Sequence, residues 1–182
     1  MNERKSSFQP AALALTALAA LLRLAPHPPN FTPVGSVALF GGARLQGWQA
    51  YIVPLLAMMV TDPILSHLAG YPAYSRATIV IYASFMLYVV LGRTLIGQST
   101  SSVRIASVSI LGSVQFFLIT NSFEWWAGNA LYPHTIGGLS ACYIAALPFF
   151  GRTLASDLFY TGVLFAAHAL LSRKLEYARR VH

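Results

Sequence analysis

The sequence predicts an all-α integral membrane protein, a compact bundle of six transmembrane helices in a single transmembrane domain over residues 1–182. Hydrophobic residues make up 56% of the chain and charged residues only 9%, whereas soluble domains carry about 25% charged residues. Most of the lysines and arginines also lie on one side of the implied membrane. The length leaves room for one domain and no large soluble appendage.

The predicted spans are the stretches that approach the ~20 apolar residues needed to cross the hydrocarbon core. The second stretch is short and Gly-rich, but it is tightly connected to the third. We therefore predict that it crosses most of the bilayer while facing protein rather than lipid. The six spans are residues 9–25, 33–45, 49–69, 77–97, 103–121 and 153–172.

The first span has an alternative interpretation as a cleaved signal peptide. It follows a short basic leader with Arg4 and Lys5, and its length suits the apolar core of such a peptide. However, the stretch runs into Arg23 and Pro26, and its alanine-rich face has a second use as a packing surface. A retained helix is the favoured interpretation.

The region 122–152 before the last span contains an ambiguous stretch, IGGLSACYIAALPFF at residues 136–150. Two glycines and a proline make it either a partial helix in a long outer loop or a seventh span. Six spans place both termini and most basic residues in the cytoplasm, whereas seven would place the basic tail outside, contrary to the positive-inside rule. We therefore predict a partial helix on the outer side.

The connections on the predicted outer side carry the aromatic and polar residues typical of a binding pocket. Aromatic faces would hold a flat ligand, while a few polar groups would fix its orientation. Tryptophan and tyrosine also concentrate at membrane interfaces, so simple interfacial anchoring stays open for them. The candidate substrate-binding residues in these connections are Asn30, Glu124, Trp125, Asn129, Tyr132 and His134.

Two carboxylates inside the predicted spans complete the candidate binding site. Asp62 lies in the third span, where an ionisable side chain costs about 2.5–3.5 kcal/mol on insertion scales and so faces a cavity or a partner. It could bind a ligand or ion, or it could be structural, capping backbone freed by Pro63 or pairing with an arginine. Asp157, near the outer end of the last span, is expected to serve the outer cavity or to pair with Arg152.

The sequence predicts no cofactor and no enzyme. His134 and Cys142 are the metal candidates, since together they could bind a soft transition metal, although a free cysteine is more often a small buried hydrophobe. HExxH, GxSxG, Walker A and dinucleotide-binding motifs are absent. The basic residues form short flanks rather than a groove with interleaved aromatics, which excludes nucleic acid as a predicted partner.

Small residues recur on one face of the first span, at Ala12, Thr16 and Ala20. Such a stripe lets another helix approach closely. That helix could belong to a partner subunit or to this same bundle. Because the chain has no ATPase motif, transport would need an energising partner, a gradient or passive movement.

Three stretches resemble known proteins: HPPNFTPVGSVALFGGA, TDPILS and TNSFEWWAGNALYPHTIGGLSACYIAALPFFGRTLASDLFYTGVLF. They resemble a family of small, uncharacterised bacterial membrane proteins assigned to transport, over about residues 27–171. At greater distance, the layout is similar to the S-components of energy-coupling-factor (ECF) vitamin transporters. Those are compact six-helix proteins that bind a vitamin from the outer side and present a small-residue face of the first helix to a partner.

The resemblance implies an S-component-like bundle in the bacterial inner (cytoplasmic) membrane. Its partners would be the lipid bilayer, a small-molecule substrate and an energising transmembrane subunit with ATPases. The stripe at Ala12, Thr16 and Ala20 matches the docking face of S-components in character.

The predicted function is therefore a substrate-binding membrane transport protein that captures a small vitamin-like or other nutrient molecule from the outer side. The main alternative is a non-enzymatic scaffold of a cell-envelope complex, which should have a tightly packed interior with Asp62 paired internally. An intramembrane enzyme is the third class, and it would need two or more ionisable side chains within hydrogen-bond reach of each other.

Overall fold

A computed structural model describes residues 9–70, 72–127 and 131–181. The described part of the chain is helical and contains no strand, as predicted. Its helices are α1 (Gln9–Leu22), α2 (Val34–Arg44), α3 (Gln49–Ala69), α4 (Arg76–Leu91, continued by a π-helical turn at Gly92–Ile96), α5 (Ser102–Ala127) and α6 (Ile136–Val181).

Four of these helices are long and apolar enough to cross a membrane: α3, α4 with its π-helical turn, α5 and α6. The prediction of several apolar helices compatible with a multi-pass membrane protein is confirmed. The other two helices are shorter, with 14 residues in α1 and 11 in α2. Both fall below the ~17–25 residues of a typical span.

Successive helices alternate in direction, which gives the bundle two ends. At one end, Arg44 donates from Nη2 to the carbonyl oxygen of Ser99 at 2.8 Å, so the connections 45–48 and 97–101 lie side by side. The opposite end lies beyond the turn that contains Asn30; the base of this turn contacts α6, where the Ser156 hydroxyl donates to the carbonyl oxygen of Thr32 at 2.6 Å. We call these the Arg44 end and the Asn30 end. The charge distribution predicts that they are the cytoplasmic and outer ends, respectively.

The centre of the bundle is α2, whose residues from Val34 to Ala43 are all buried. A short helix can lie at membrane depth when protein surrounds it, and the other helices surround this one. Two glycines bring α2 and α4 into backbone contact: a β-carbon at Gly42 would overlap the carbonyl oxygen of Val89, and one at Gly92 would overlap that of Leu39. The glycine content of the second stretch is therefore a packing requirement.

The last helix corrects the predicted division between a partial helix and a final span. Residues 136–150 are helical, but they continue into one helix of 46 residues. This helix packs antiparallel along α5: the Tyr143 hydroxyl donates to the carbonyl oxygen of Leu118 at 2.9 Å, and the Ser113 hydroxyl donates to Asp157 at 2.7 Å. The stretch therefore lies beside α5, in the same continuous helix as Asp157, rather than in a separate partial helix.

The small-residue stripe of α1 faces this chain's own bundle. Ala12 is 1% exposed and Thr16 is fully buried, while Ala20 is partly buried. The opposite face of α1 carries exposed leucines, among them Leu18 and Leu21. Close packing within the bundle, the second of the two predicted uses, accounts for the stripe at Ala12 and Thr16.

Candidate functional site

The most deeply buried carboxylate of the described chain is Asp157, which is 2% exposed. Its Oδ2 accepts two hydrogen bonds, from the Tyr88 hydroxyl at 2.6 Å and from the Ser113 hydroxyl at 2.7 Å. Asp157 lies beside the middle of α5, deeper in the bundle than predicted, because α6 begins at Ile136, well before the predicted span. The predicted alternative of pairing with Arg152 is replaced by this pair of hydroxyl donors.

The position of the Asp157 carboxylate depends on the first turn of α2. A β-carbon at Gly35 would overlap Oδ1 of Asp157, so only a glycine leaves room for the carboxylate there. Helix N-termini carry a partial positive charge that favours nearby anions. The Ser36 hydroxyl also donates to the carbonyl oxygen of Asp157 at 2.9 Å. The N-terminus of α2 therefore both positions and stabilises this carboxylate.

A cavity of about 200 Å³ extends from Asp157 towards the Asn30 end. Its walls combine the rings of Phe85, Phe116 and Tyr88 with several polar groups. A neighbouring cavity of about 320 Å³ shares Asn30, Phe116 and Thr153 with it. The polar residues of the first cavity are Arg23, Asn30, Thr32, Tyr88, Thr153 and Asp157.

Asn30, one of the predicted binding residues, reaches both cavities from a tight turn. The turn is closed by the amide of Phe31, which donates to the carbonyl oxygen of Pro28 at 3.0 Å. Asn30 has a φ of 63°, the left-handed conformation that type II turns require at their third residue and that asparagine tolerates better than most residues. The sequence HPPNFT therefore encodes both the turn and its position over the cavities.

Arg23 and Asp62 form an ion pair between the end of α1 and the middle of α3. The Arg23 guanidinium also donates to the Thr61 hydroxyl at 2.7 Å, and the Tyr82 hydroxyl donates to Asp62 Oδ2 at 2.5 Å. Pairing with an arginine was the structural alternative predicted for Asp62. Asp62 lines neither cavity, but it is paired with Arg23, which lines the cavity of about 200 Å³.

The structure does not bring Glu124, Trp125, Tyr132 or His134 together with Asn30 and Asp157. The Trp125 indole donates to the carbonyl oxygen of Pro133 at 3.0 Å and packs edge-on against His134, with ring centroids 5.4 Å apart. These contacts tie the end of α5 to the start of α6. Asn129 lies outside the described residues. Neither cavity is lined by any of the other four: Glu124, Trp125, Tyr132 and His134.

Among the described residues, the structure adds no third metal-binding side chain to the candidates His134 and Cys142. Cys142 is buried, and its thiol donates to the carbonyl oxygen of Asn121 at 3.6 Å. This is the environment of a cysteine that packs as a small hydrophobe. Within residues 9–70, 72–127 and 131–181, no three His, Cys, Asp or Glu side chains cluster in a way that could hold a metal ion.

The sequence did not single out Tyr88, Ser113, Arg23 or Thr153 as site residues. Tyr88 and Ser113 lie in apolar spans, where an isolated hydroxyl carries no recognisable motif. One signal was available in α5, because Ser109 and Ser113 are four residues apart and share a helix face. Both are fully buried. A polar stripe inside an apolar span indicates a polar partner on a neighbouring helix.

Comparisons with curated proteins and with solved structures found no match. A comparison with protein-family models did find one, and it covers nearly the whole chain. The chain belongs to a family of unknown function, DUF6580, whose model matches residues 4–179.

Proposed function

We propose that this protein is a substrate-binding membrane transport protein that captures a small nutrient molecule at its Asn30 end, the predicted outer end. The observation that supports this most directly is the aromatic-walled cavity that extends from the buried carboxylate of Asp157. Ligand sites typically combine apolar walls with a few placed polar groups. An ionisable residue inside a membrane segment marks a functional site by default.

The charges around the cavity favour a ligand that presents a hydrogen-bond donor or a cationic group to Asp157. Arg23 is already paired with Asp62, so its charge is largely compensated. Both hydrogen bonds to the Asp157 carboxylate reach Oδ2, and none from the described residues reaches Oδ1. That oxygen is the acceptor left for a ligand.

The size of the space favours a small ligand. The two neighbouring cavities have volumes of about 200 and 320 Å³, at or below the lower end of the ~300–1,000 Å³ range of sites for drug-sized molecules. A compact vitamin or similar nutrient fits this space, and a macrocycle such as a corrinoid does not. The bacterial inner membrane, and a partner subunit with ATPases that would energise uptake, belong to the same proposal.

The direct test is native mass spectrometry of gently purified protein, followed by thermal-shift screening against a vitamin panel. We expect a bound or stabilising small molecule. The Asp157→Asn variant should bind it about tenfold or more weakly, because a hydrogen bond to a charged group contributes ~1.5–3 kcal/mol. Glu124→Gln is the matched control: it removes the same charge at an exposed position outside both cavities, and it should bind like the wild type.

Two outcomes would contradict this assignment. Weakened binding in Glu124→Gln but not in Asp157→Asn would move the site to the loop cluster predicted from the sequence. A clean apoprotein that no panel member stabilises would favour the scaffold alternative. One observation favours the scaffold alternative: Asp62 is paired internally with Arg23, as expected for a scaffold. The two cavities count against it, since a scaffold needs only a tightly packed interior.

A further inference from the structure

A third and larger cavity lies at the opposite end of the bundle from the proposed substrate site. Its volume is about 730 Å³. It lies between α5, α6 and the connection 97–101, and its polar lining includes Gln98, Thr100 and Ser102. It shares no lining residue with either cavity at the Asn30 end.

The polar mouth of this cavity is positively charged. Arg44 and Arg173 line it beside the imidazole of His168, and its lining within the described part of the chain includes no aspartate or glutamate. Arg44 is held in place by hydrogen bonds to the carbonyl oxygens of Gly97 and Ser99 and lies 4.6 Å from the Phe165 ring centroid. Backbone carbonyls orient a guanidinium without neutralising it. The mouth therefore presents a fixed cation to an incoming anion.

The Ser172 hydroxyl is a further unused polar group in this cavity. It is buried and has no hydrogen-bond partner among the described residues. A buried hydroxyl without a partner pays a desolvation penalty of about 1–3 kcal/mol. A ligand with hydrogen-bond acceptors at the mouth would satisfy it, next to the charge of Arg173.

The deeper part of the cavity is apolar except for Thr161 and runs along the outside of the helix pair. Its lining there includes Ile105, Leu158 and Phe165. Gly162 is exposed and has open space in front of it, since a β-carbon at that position would meet nothing within 4 Å. From Arg173 to Leu158 the cleft follows about 22 Å of helix at ~1.5 Å per residue. This exceeds the ~15 Å of one leaflet of the hydrocarbon core.

We infer that this cleft binds an anionic phospholipid, with its phosphate at Arg44, Arg173 and Ser172 and an acyl chain along Gly162. Charge complementarity favours an anionic headgroup, because the described residues of the mouth include two arginines and no carboxylate. Basic pockets at the cytoplasmic ends of membrane helices are recurrent sites for anionic lipid headgroups. A free phosphate would not use the apolar part of the cleft, whereas an acyl chain would occupy it.

The test is native mass spectrometry of the full-length protein in mild detergent, titrated with phosphatidylglycerol or with phosphatidylcholine of the same acyl chains. We expect phosphatidylglycerol to bind preferentially. Arg173→Gln should weaken its binding about fivefold, the effect of one basic residue at an anionic surface. Gly162→Leu should remove the preference by filling the cleft. Both positions are exposed, so both variants should fold, which gel filtration verifies.

Matched controls separate this site from general attraction to a basic surface. Lys174→Gln removes the same charge from the adjacent residue, which does not line the cavity, and Gly151→Leu adds the same side chain at another open glycine of α6. Both should bind phosphatidylglycerol like the wild type. The inference is overturned if phosphatidylcholine binds equally well or if the controls match the test variants. It is also overturned if inorganic phosphate displaces the lipid, because the site would then be one for free phosphate.

Discussion

Replacing Gly42 by alanine is expected to destabilise the protein by about 3 kcal/mol, the upper part of the usual range for overpacking a core. The added methyl group would overlap the carbonyl oxygen of Val89, a backbone atom that no rotamer change can move away. The helices α2 and α4 would have to separate, and α2 is the centre of the bundle. Equilibrium unfolding of the purified protein in mixed micelles measures the change.

The matched control is Gly151→Ala in α6, where a β-carbon meets nothing within 4 Å. There the same substitution should be neutral or stabilising by ~0.5–1 kcal/mol, because alanine is the better helix former. Gly92→Ala, which meets Leu39 across the same contact, should behave like Gly42→Ala. Equal stability of Gly42→Ala and Gly151→Ala would show that α2 and α4 do not touch through their backbones.

This contact also shows how much of the fold could be predicted. Apolar stretch length was sufficient to place α3, whose bounds Gln49–Ala69 coincide with the predicted third span. The Gly-rich composition of the second stretch correctly indicated a short helix that faces protein. Which residues its glycines touch could not be predicted, because that depends on the register between two helices.

The division of the last helix could not be inferred from local signals. Gly137, Gly138 and Pro148 have the features of helix boundaries, since glycine disfavours helix and proline removes a backbone donor. Only the packing against α5 reveals that residues 136–150 belong to the same continuous helix as Asp157. Because the helix begins at Ile136 rather than near residue 153, Asp157 lies beside the middle of α5 instead of near the end of the helix, where it was expected.

The candidate site was predicted in part, for a similar reason. Asn30 and Asp157 were both named from the sequence, and both line the cavity at the Asn30 end. The hydroxyls of Tyr88 and Ser113, which define the environment of Asp157, come from two other helices. Their partners are set by the packing of α4, α5 and α6, and no local motif encodes that packing.

Separating Arg23 from Asp62 is the second large effect that we expect. Their side chains are 18% and 15% exposed, so removing one partner leaves the other charge largely buried without compensation. Breaking a buried pair in this way typically costs ~3–5 kcal/mol. Arg23→Gln and Asp62→Asn should each destabilise the protein by about 3 kcal/mol, and the double variant by clearly less than the sum. Equilibrium unfolding of the four proteins gives the coupling energy.

Arg76→Gln is the matched control, because Arg76 is exposed at the start of α4 and its loss should change stability by less than about 0.5 kcal/mol. Additive effects in the double variant, or an Arg23→Gln variant as stable as Arg76→Gln, would rule out the pair as a stabilising contact.

The outcome of this experiment also bears on the ligand chemistry of the cavity beside Asp157. If Arg23 and Asp62 are strongly coupled, Asp62 compensates the charge of Arg23, and Asp157 is the charged group left to bind a ligand. If they are not, Arg23 is free to bind an anionic group, and the ligand chemistry inferred above would have to change.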